Sequence, residues 1–310
     1  MKLSDRVRRA AADLLFLFVL PGLVALLPWP LGFALLKRCA RVDLLHRSSV
    51  APAWSVARRY LPDADETAWK RRHRLLRLVE PVDSYLTLLR SRTWWRRRIA
   101  YDGAWPPAGT PALLLTFHWG AGHWVWSQLR LHGIDAHFLA RRPGPGDLGV
   151  GRLSVLYGRF RGWALRRIGS AGPLYLGGSV PQIEAAFAEG RSIVGMLDLP
   201  PRPERSAFGA SVLGRSVRLP GGLAELAVRN GVPVVIFSCG LDPDTGTRTL
   251  RIETLPADAG IEQIMDRYAA HLDRCLREQP AYWQMWSAAD AIFEAAPPQG
   301  SPAPSPPRAP

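Results

Sequence analysis

Between Ala112 and Glu278, short apolar runs alternate with longer amphipathic segments, and this alternation constrains the fold more than any other feature. Five apolar runs have the length of strands: Ala112–Phe117, Ala136–Ala140, Ser192–Leu197, Val232–Ser238 and Thr249–Thr254. Five longer segments predict helices: His123–Leu131, Gly151–Ile168, Val180–Ala188, Gly222–Arg229 and Ile261–Glu278. Strands that alternate with helices in this way predict an α/β fold around a largely parallel sheet.

The N-terminal region is apolar enough to interact with a membrane. Leu14–Leu36 is a run of 23 residues without a charge, which as one helix would match ~30 Å of hydrocarbon. Pro21, Pro28 and Pro30 interrupt it, and proline breaks or kinks a helix. We therefore expect residues 1–45 to form a kinked helix or shallow helical hairpin that anchors the chain in a membrane. The alternative is a helix buried in the protein core.

Residues 46–108 are predicted to form a basic helical region. From Ala53 to Arg98, apolar residues recur at three- and four-residue spacing, with runs of arginine between them. Such runs fit either the solvated face of a helix or a surface that meets acidic lipids. At the other end of the chain, residues 296–310 contain seven prolines and predict a disordered tail.

Charge narrows the range of partners. The formal net charge is +14, and all but three of the 40 basic residues are arginines. The guanidinium group binds phosphate and carboxylate through two parallel hydrogen bonds, so this surface suits anionic lipid headgroups, an acidic carrier protein or nucleic acid. No nucleic-acid-binding motif accompanies the charge, and we expect no nucleic-acid partner. Cys39, Cys239 and Cys275 lie far apart and indicate unpaired thiols rather than a metal site.

One histidine stands where a substrate could reach it. His118 follows the predicted strand Ala112–Phe117, and Gly120, Ala121 and Gly122 leave little side-chain bulk beside it. The start of the next helix would offer free N–H groups to a developing negative charge. A base that takes a hydroxyl proton, together with such donors, suits the attack of an alcohol on an acyl group. The alternative is a structural histidine.

The segment His118-Trp119-Gly120-Ala121-Gly122-His123-Trp124 resembles the H-x4-D/E motif of the lysophospholipid acyltransferase superfamily, in its branch of bacterial lipid A biosynthesis (lauroyl/myristoyl) acyltransferases. Further elements of that family have similar segments here in the same order, over roughly residues 10–293: Ala140-Arg141-Arg142-Pro143, Tyr157-Gly158-Arg159-Phe160-Arg161, the segment 185–198 that ends in Asp198, Leu213-Gly214-Arg215, Pro220-Gly221, and Pro280-Ala281-Tyr282-Trp283-Gln284-Met285-Trp286.

The resemblance implies a fold and an activity. It implies an αβα sandwich of the glycerolipid-acyltransferase type over residues 109–295, preceded by the N-terminal membrane-anchoring helical segment. The implied enzyme is an O-acyltransferase at the cytoplasmic face of the cell inner membrane. It moves a fatty acyl chain from acyl carrier protein to a hydroxyl of a lipid A-type or related lipid acceptor, without a metal or organic cofactor. His118 would be the general base, and Arg142, Arg159 and Arg215 would contact phosphate or carrier.

The chain departs from the family at His123, which occupies the position of the motif acid. That acid orients the histidine and stabilises its imidazolium, a role that a neutral imidazole performs poorly. Three interpretations follow. Asp198, at the end of a neighbouring predicted strand, reaches His118, unless it only caps the loop 199–203. Alternatively, the enzyme works slowly or on an activated substrate. In the third interpretation, the chain is a catalytically impaired lipid-binding or assembly homologue.

Overall fold

A computed structural model describes residues 3–142, 151–201 and 207–293 of the 310 residues. In this part the chain has a mixed α/β fold with a seven-stranded, mostly parallel central sheet. Its strands are β1 (Ile99–Asp102), β2 (Leu113–Thr116), β3 (Ala136–Ala140), β4 (Ser170–Tyr175), β5 (Ser192–Met196), β8 (Val234–Leu241) and β9 (Arg248–Leu255). A separate antiparallel hairpin contains β6 (Ala207–Val212) and β7 (Arg215–Pro220). The predicted tail, residues 296–310, lies outside the described residues.

The sheet order is β1-β9-β8-β2-β5-β3-β4. The strands from β8 to β4 run parallel to one another, whereas β9 is antiparallel to β8. All five predicted strands are confirmed, with small shifts at their ends. The sequence did not predict β1, β4, β6 and β7, because β1 is short and mostly exposed, β4 contains glycine and proline, and the hairpin carries polar residues. β1 lies within residues 46–108, the predicted basic helical region, and pairs with β9 of the central sheet.

Eleven helices accompany the strands in the described residues: α1 (Leu3–Leu14), α2 (Leu20–Leu26), α3 (Trp29–Cys39), α4 (Arg47–Ala57), α5 (Glu66–Leu89), α6 (Arg92–Arg96), α7 (Val125–Leu131), α8 (Arg152–Ile168), α9 (Val180–Ala188), α10 (Gly222–Asn230) and α11 (Ile261–Glu278). The five helices predicted after residue 112 are confirmed, although α7 begins two residues later than expected. A π-helical turn, Leu15–Val19, joins α1 to α2.

The apolar N-terminal run is kinked, as its prolines predict. Leu27 is extended, with ψ at 155°, and separates α2 from α3 just before Pro28. One face of these helices packs into the core through five residues: Val24, Ala25, Trp29, Phe33 and Leu36. The opposite face leaves large side chains exposed, including Leu26 at 71% and Leu31 at 62%. Among the described residues, no helix combines the length and the apolar composition needed to cross a membrane.

Helix α5 joins these N-terminal helices to the sheet. Arg90, at its end, donates to the carbonyl oxygens of Ala25 and Leu27, both at 2.6 Å, and so caps α2. Earlier on the same helix, Asp83 forms a completely buried ion pair with Arg248 at the start of β9. Burial raises the pKa of Asp83 to about 6, against the opposing charge of Arg248. Loss of either partner would leave an unpaired buried charge, at a cost of about 3–5 kcal/mol.

Candidate active site

The candidate site lies at the carboxyl edge of the parallel strands. β2 and β5 are neighbours in parallel register, with Leu113 opposite Ile193. Each strand is followed after one intervening residue by a polar side chain, His118 after β2 and Asp198 after β5. Ligand sites of open α/β sheets occur at this edge, where loops leave the ends of the strands. The register therefore brings together two residues that are 80 positions apart in the chain.

Asp198 holds the histidine through both of its carboxylate oxygens. Its Oδ1 atom lies 2.9 Å from His118 Nδ1, and its Oδ2 atom accepts the backbone N–H of His118 at 2.8 Å. The carboxylate is completely buried, and Oδ2 also accepts the indole N–H of Trp283 at 2.8 Å. An ionised carboxylate acts only as an acceptor, so Nδ1 carries the proton and the lone pair of the neutral ring is on Nε2. The contact expected from the sequence is therefore present.

A tyrosine from α11 fixes the two strand ends. The Tyr268 hydroxyl donates to the carbonyl oxygen of Thr116 at 2.8 Å. It also accepts the backbone N–H groups of Leu197 and Asp198, at 2.9 and 3.1 Å. Burial raises the pKa of Tyr268 well above its usual value, so the hydroxyl stays protonated. The Tyr268 hydroxyl thus acts as both donor and acceptor. It fixes the spacing between β2 and β5 at the strand ends next to the site.

The segment that follows α11 closes over the His118 turn. The backbone N–H of Gln284 donates to the His118 carbonyl at 2.7 Å, and its side-chain amide donates to the Gly120 carbonyl at 3.0 Å. The Gly120 N–H in turn donates to the Tyr282 carbonyl at 3.0 Å. This N–H was one of the donors near His118 that an oxyanion could have used, and it is already occupied. These hydrogen bonds hold the His118 turn in place.

Gly120 is required by close backbone packing. Its φ angle is +76°, and a Cβ atom built there would stand 1.8 Å from the carbonyl oxygen of Cys239 in β8. Any other residue would have to push the turn away from the strand. At Gly122 the same construction gives 3.6 Å to the Cys239 sulfur, which is ordinary contact. The small residues after His118 therefore serve the turn itself, and only the first of them is sterically obligatory.

The charge balance around His118 favours a stronger base. Burial works against the imidazolium, but the hydrogen bond and charge of Asp198, with a smaller contribution from Glu80, outweigh it, and the pKa of His118 is raised above 6.5. The side chain is 32% exposed. In the described residues, no hydrogen bond involves its Nε2 atom. A ring held at Nδ1 and open at Nε2 is the arrangement that general-base catalysis requires.

His123 does not take the place of the motif acid. It is 2% exposed, and neither ring nitrogen has a hydrogen-bond partner among the described residues. Burial, with the charge of Arg161, lowers its pKa well below 6.5, so the ring is neutral. It makes no hydrogen bond to His118. The partner of His118 Nδ1 is Asp198 instead.

Two further charged residues belong to the neighbourhood of the site. Glu80 of α5 pairs with Arg161 of α8, with 3.0 Å between Oε1 and Nη1. Glu80 contributes to the raised pKa of His118, and Arg161 to the lowered pKa of His123. The sequence did not single out either residue. Arg161 had a usable signal, since it lies four positions after the buried Tyr157 and therefore on the same helical face.

The three arginines implied by the resemblance lie elsewhere. Arg159 is exposed on α8, and Arg215 stacks on the ring of Tyr60 at 5.1 Å. Arg142 follows β3 at the carboxyl edge of the sheet and lies 5.2 Å from the ring of Tyr175. None of them contacts His118 or Asp198 in the described part of the chain. The adjoining Pro143 and the loop residues Arg202 and Pro203 are outside the described ranges.

The chain matches no protein-family model and no curated protein sequence.

Proposed function

We propose that the protein is an O-acyltransferase that moves a fatty acyl chain from acyl carrier protein to a hydroxyl of a lipid A-type or related lipid acceptor. The observation that carries the proposal is the Asp198–His118 pair, in which one imidazole nitrogen is fixed and the other is open. The wider proposal includes the αβα sandwich of the glycerolipid-acyltransferase type. It also includes a position at the cytoplasmic face of the cell inner membrane.

The chemistry follows from the tautomer. Nε2 of His118 removes the proton of the acceptor hydroxyl while the oxygen attacks the thioester carbon. The tetrahedral intermediate then collapses, the carbon–sulfur bond breaks, and the imidazolium returns its proton to the departing thiolate. Asp198 stabilises that imidazolium because its charge lies in a completely buried position, where it is poorly screened.

The surface is compatible with a lipid substrate. Large apolar side chains are exposed along the N-terminal helices and on α8, which packs against α1 and the π turn. They are Leu14, Leu15, Val19, Leu23, Leu26 and Leu31, with Val155, Leu156 and Trp163 on α8. An apolar face with arginines around it is the composition expected of a segment that lies in a membrane interface. The net charge of +14 would also attract acidic acyl carrier protein.

The test is acyl transfer from acyl carrier protein in membranes that contain the protein. We expect His118→Ala to abolish transfer, because no other base replaces Nε2, and His123→Gln to retain turnover within about tenfold, because Asp198 performs the orienting role. The control is Asp102→Asn, which removes a carboxylate that pairs with Arg251 on β9. Transfer by His118→Ala at the wild-type rate would refute the mechanism. Absence of transfer by every form, with lipid binding preserved, would favour the impaired lipid-binding homologue.

A further inference from the structure

A cavity of about 390 Å³ lies among the ends of α5, α6, α7 and α8. Four arginines line it: Arg90, Arg92, Arg130 and Arg167. Ser127, Gln128 and Thr87 add polar groups to its wall, and Trp95 adds an apolar one. The volume is at the lower end of the range for small-molecule sites. Arg90 lies ten residues beyond Glu80 on α5, or about 15 Å along the helix, so this cavity is separate from the His118 site.

The side chains that line the cavity carry positive charge only. None of the described residues that line it is acidic. Like charges that converge on one cavity repel one another, and the repulsion is relieved when an anion binds between them. Arg130 and Arg167 lie in the last turns of α7 and α8, where the helix dipole favours one cation each. That preference accounts for a cation at each of these two helix ends but not for the presence of Arg90 and Arg92 on the wall of the same cavity.

The arginines are partly preorganised. Arg90 is held by its two bonds to α2, and its Nε–H is buried without a partner among the described residues. The alkyl chain of Arg130 packs on Gly169, where an added Cβ would stand 2.7 Å from the arginine Cβ. Arg130 then donates to the carbonyl oxygen of Arg167, at 3.4 Å. Because much of the side-chain ordering is complete, less conformational entropy is lost when a ligand binds.

Exposed leucines lie next in the chain to residues that Arg90 joins. Arg90 bonds the carbonyls of Ala25 and Leu27, and Leu26, between these two residues in the chain, has 71% of its surface exposed. Leu89, next to Arg90 in the chain, is 55% exposed. A free phosphate ion would bind the arginines of the cavity but would gain nothing from contact with these leucines. A phospholipid uses both, since its phosphate is joined to acyl chains.

We infer that this cavity binds the phosphate headgroup of an anionic membrane lipid, with the lipid chains against the exposed leucines of α2 and α5. The occupant is a lipid of the surrounding bilayer rather than a reactant of the His118 site. The consequence is a fixed orientation of the protein on an anionic surface, in addition to general attraction between a basic protein and acidic lipids.

The experiment compares two double variants of the full-length protein that lose the same charge. The cavity variant is Arg92→Gln with Arg167→Gln, which spares the structural Arg90. The control is Arg58→Gln with Arg71→Gln, at exposed positions outside the cavity, directly after α4 and on α5. Binding is measured by cosedimentation with vesicles of phosphatidylglycerol in phosphatidylcholine, and thermal unfolding checks that both variants are folded. Each arginine near an anionic surface is worth about fivefold in partitioning, so the cavity variant should bind about 30-fold more weakly.

The control should stay within about threefold of the wild-type protein. Equal losses in the two double variants would overturn the inference, because they would show general surface charge alone. A second experiment measures thermal unfolding with added inorganic phosphate at constant ionic strength. If phosphate stabilises the wild-type protein while the cavity variant binds vesicles normally, the cavity takes a free anion and the lipid assignment is wrong.

Acyl carrier protein provides a third arm. A cavity variant that loses binding to this protein but keeps vesicle binding would assign the arginines to a protein partner and refute the lipid site. If the double variant fails to fold, the single variants Arg92→Gln and Arg58→Gln are compared in the same way. The expected loss of vesicle binding for Arg92→Gln is then about fivefold. All these measurements are of binding, so their outcome is independent of whether His118 catalyses acyl transfer.

Discussion

Replacement of Asp198 by asparagine tests the candidate site most directly. The change keeps the size of the side chain and removes its charge. The amide oxygen can remain at the Oδ2 position, where it accepts the His118 backbone N–H and the Trp283 indole N–H, each now at 2.8 Å. The amide NH2 group then stands at the Oδ1 position, 2.9 Å from His118 Nδ1. Because NH2 donates, the imidazole must accept at Nδ1 and carry its proton on Nε2.

The expected effects follow from that reversal. A ring protonated at Nε2 cannot take a proton from a substrate, and turnover should fall by about 10⁴-fold, the loss seen when a serine-protease triad is held in the wrong tautomer. This corresponds to about 5.5 kcal/mol of activation free energy. With the carboxylate gone, burial outweighs the remaining contribution of Glu80, and the pKa of His118 should fall from above 6.5 to below it. In the wild-type protein the base is neutral above its raised pKa, so activity is lost as pH falls through that value.

Stability separates asparagine from alanine at this position. Asp198→Asn keeps both buried donors satisfied, whereas Asp198→Ala leaves the His118 N–H and the Trp283 indole N–H without an acceptor. Each orphaned donor costs about 1–3 kcal/mol, so alanine should lower the free energy of unfolding by about 2–6 kcal/mol and asparagine by much less. A catalytic loss without a matching loss of stability would identify orientation as the function of the carboxylate.

The decisive assay needs no substrate. Nitrogen chemical shifts of labelled histidine report which ring nitrogen of His118 is protonated and at what pH the second proton binds. We expect Nδ1–H with a pKa above 6.5 in the wild-type protein and Nε2–H with a lower pKa in Asp198→Asn. Asp102→Asn controls for the loss of one carboxylate. If Asp198→Asn keeps the wild-type tautomer and pKa, the reasoning from the hydrogen bonds is wrong, whatever the activity.

Three further predictions concern the surroundings of the site. Gly120→Ala should destabilise the fold by about 2–4 kcal/mol in chemical denaturation, because its Cβ would overlap the backbone of β8, while Gly122→Ala should cost less than 1 kcal/mol; similar losses would contradict the packing argument. Burial lowers the pKa of His73 to about 4, so the free energy of unfolding should fall by about 3 kcal/mol from this group as pH drops from 6.5 to 4, and His73→Asn should remove that part of the slope. Glu80→Gln should lower the pKa of His118 by less than Asp198→Asn does, and an equal shift would mean that Glu80 is the main partner.

Much of the fold could be predicted because it depends on local patterns. Continuous apolar runs such as 113–116 predict buried strands, and glycine after a helix predicts its end, as at Gly231. β1 could not be found this way, since its pattern has one buried residue followed by three exposed ones. It is a strand because β9 offers an open edge, which is a property of the assembled sheet.

Some residues of the candidate site could likewise be predicted from local patterns, and others could not. His118 was recognisable from its place after a buried strand, and Asp198 from the end of another. The sequence did not show that Trp283, Gln284 and Glu80 also belong to the candidate site. They lie far away in the chain, on the segment after α11 and on α5. Hydrogen bonds across such separations depend on how helices pack on the sheet, and local periodicity carries no information about that packing.

The sequence alone therefore determined the α/β character, the kinked apolar N-terminus and the choice of His118 as the candidate base. Tertiary structure decided which carboxylate serves that histidine. The H-x4-H spacing indicated a missing acid, yet parallel pairing of β2 with β5 places Asp198 at Nδ1 and leaves His123 buried, neutral and without a hydrogen bond to His118. The physical reason is that an imidazole is oriented by whichever acceptor lies 2.9 Å away in space. Sheet register sets that distance, and the number of residues between two motif positions does not.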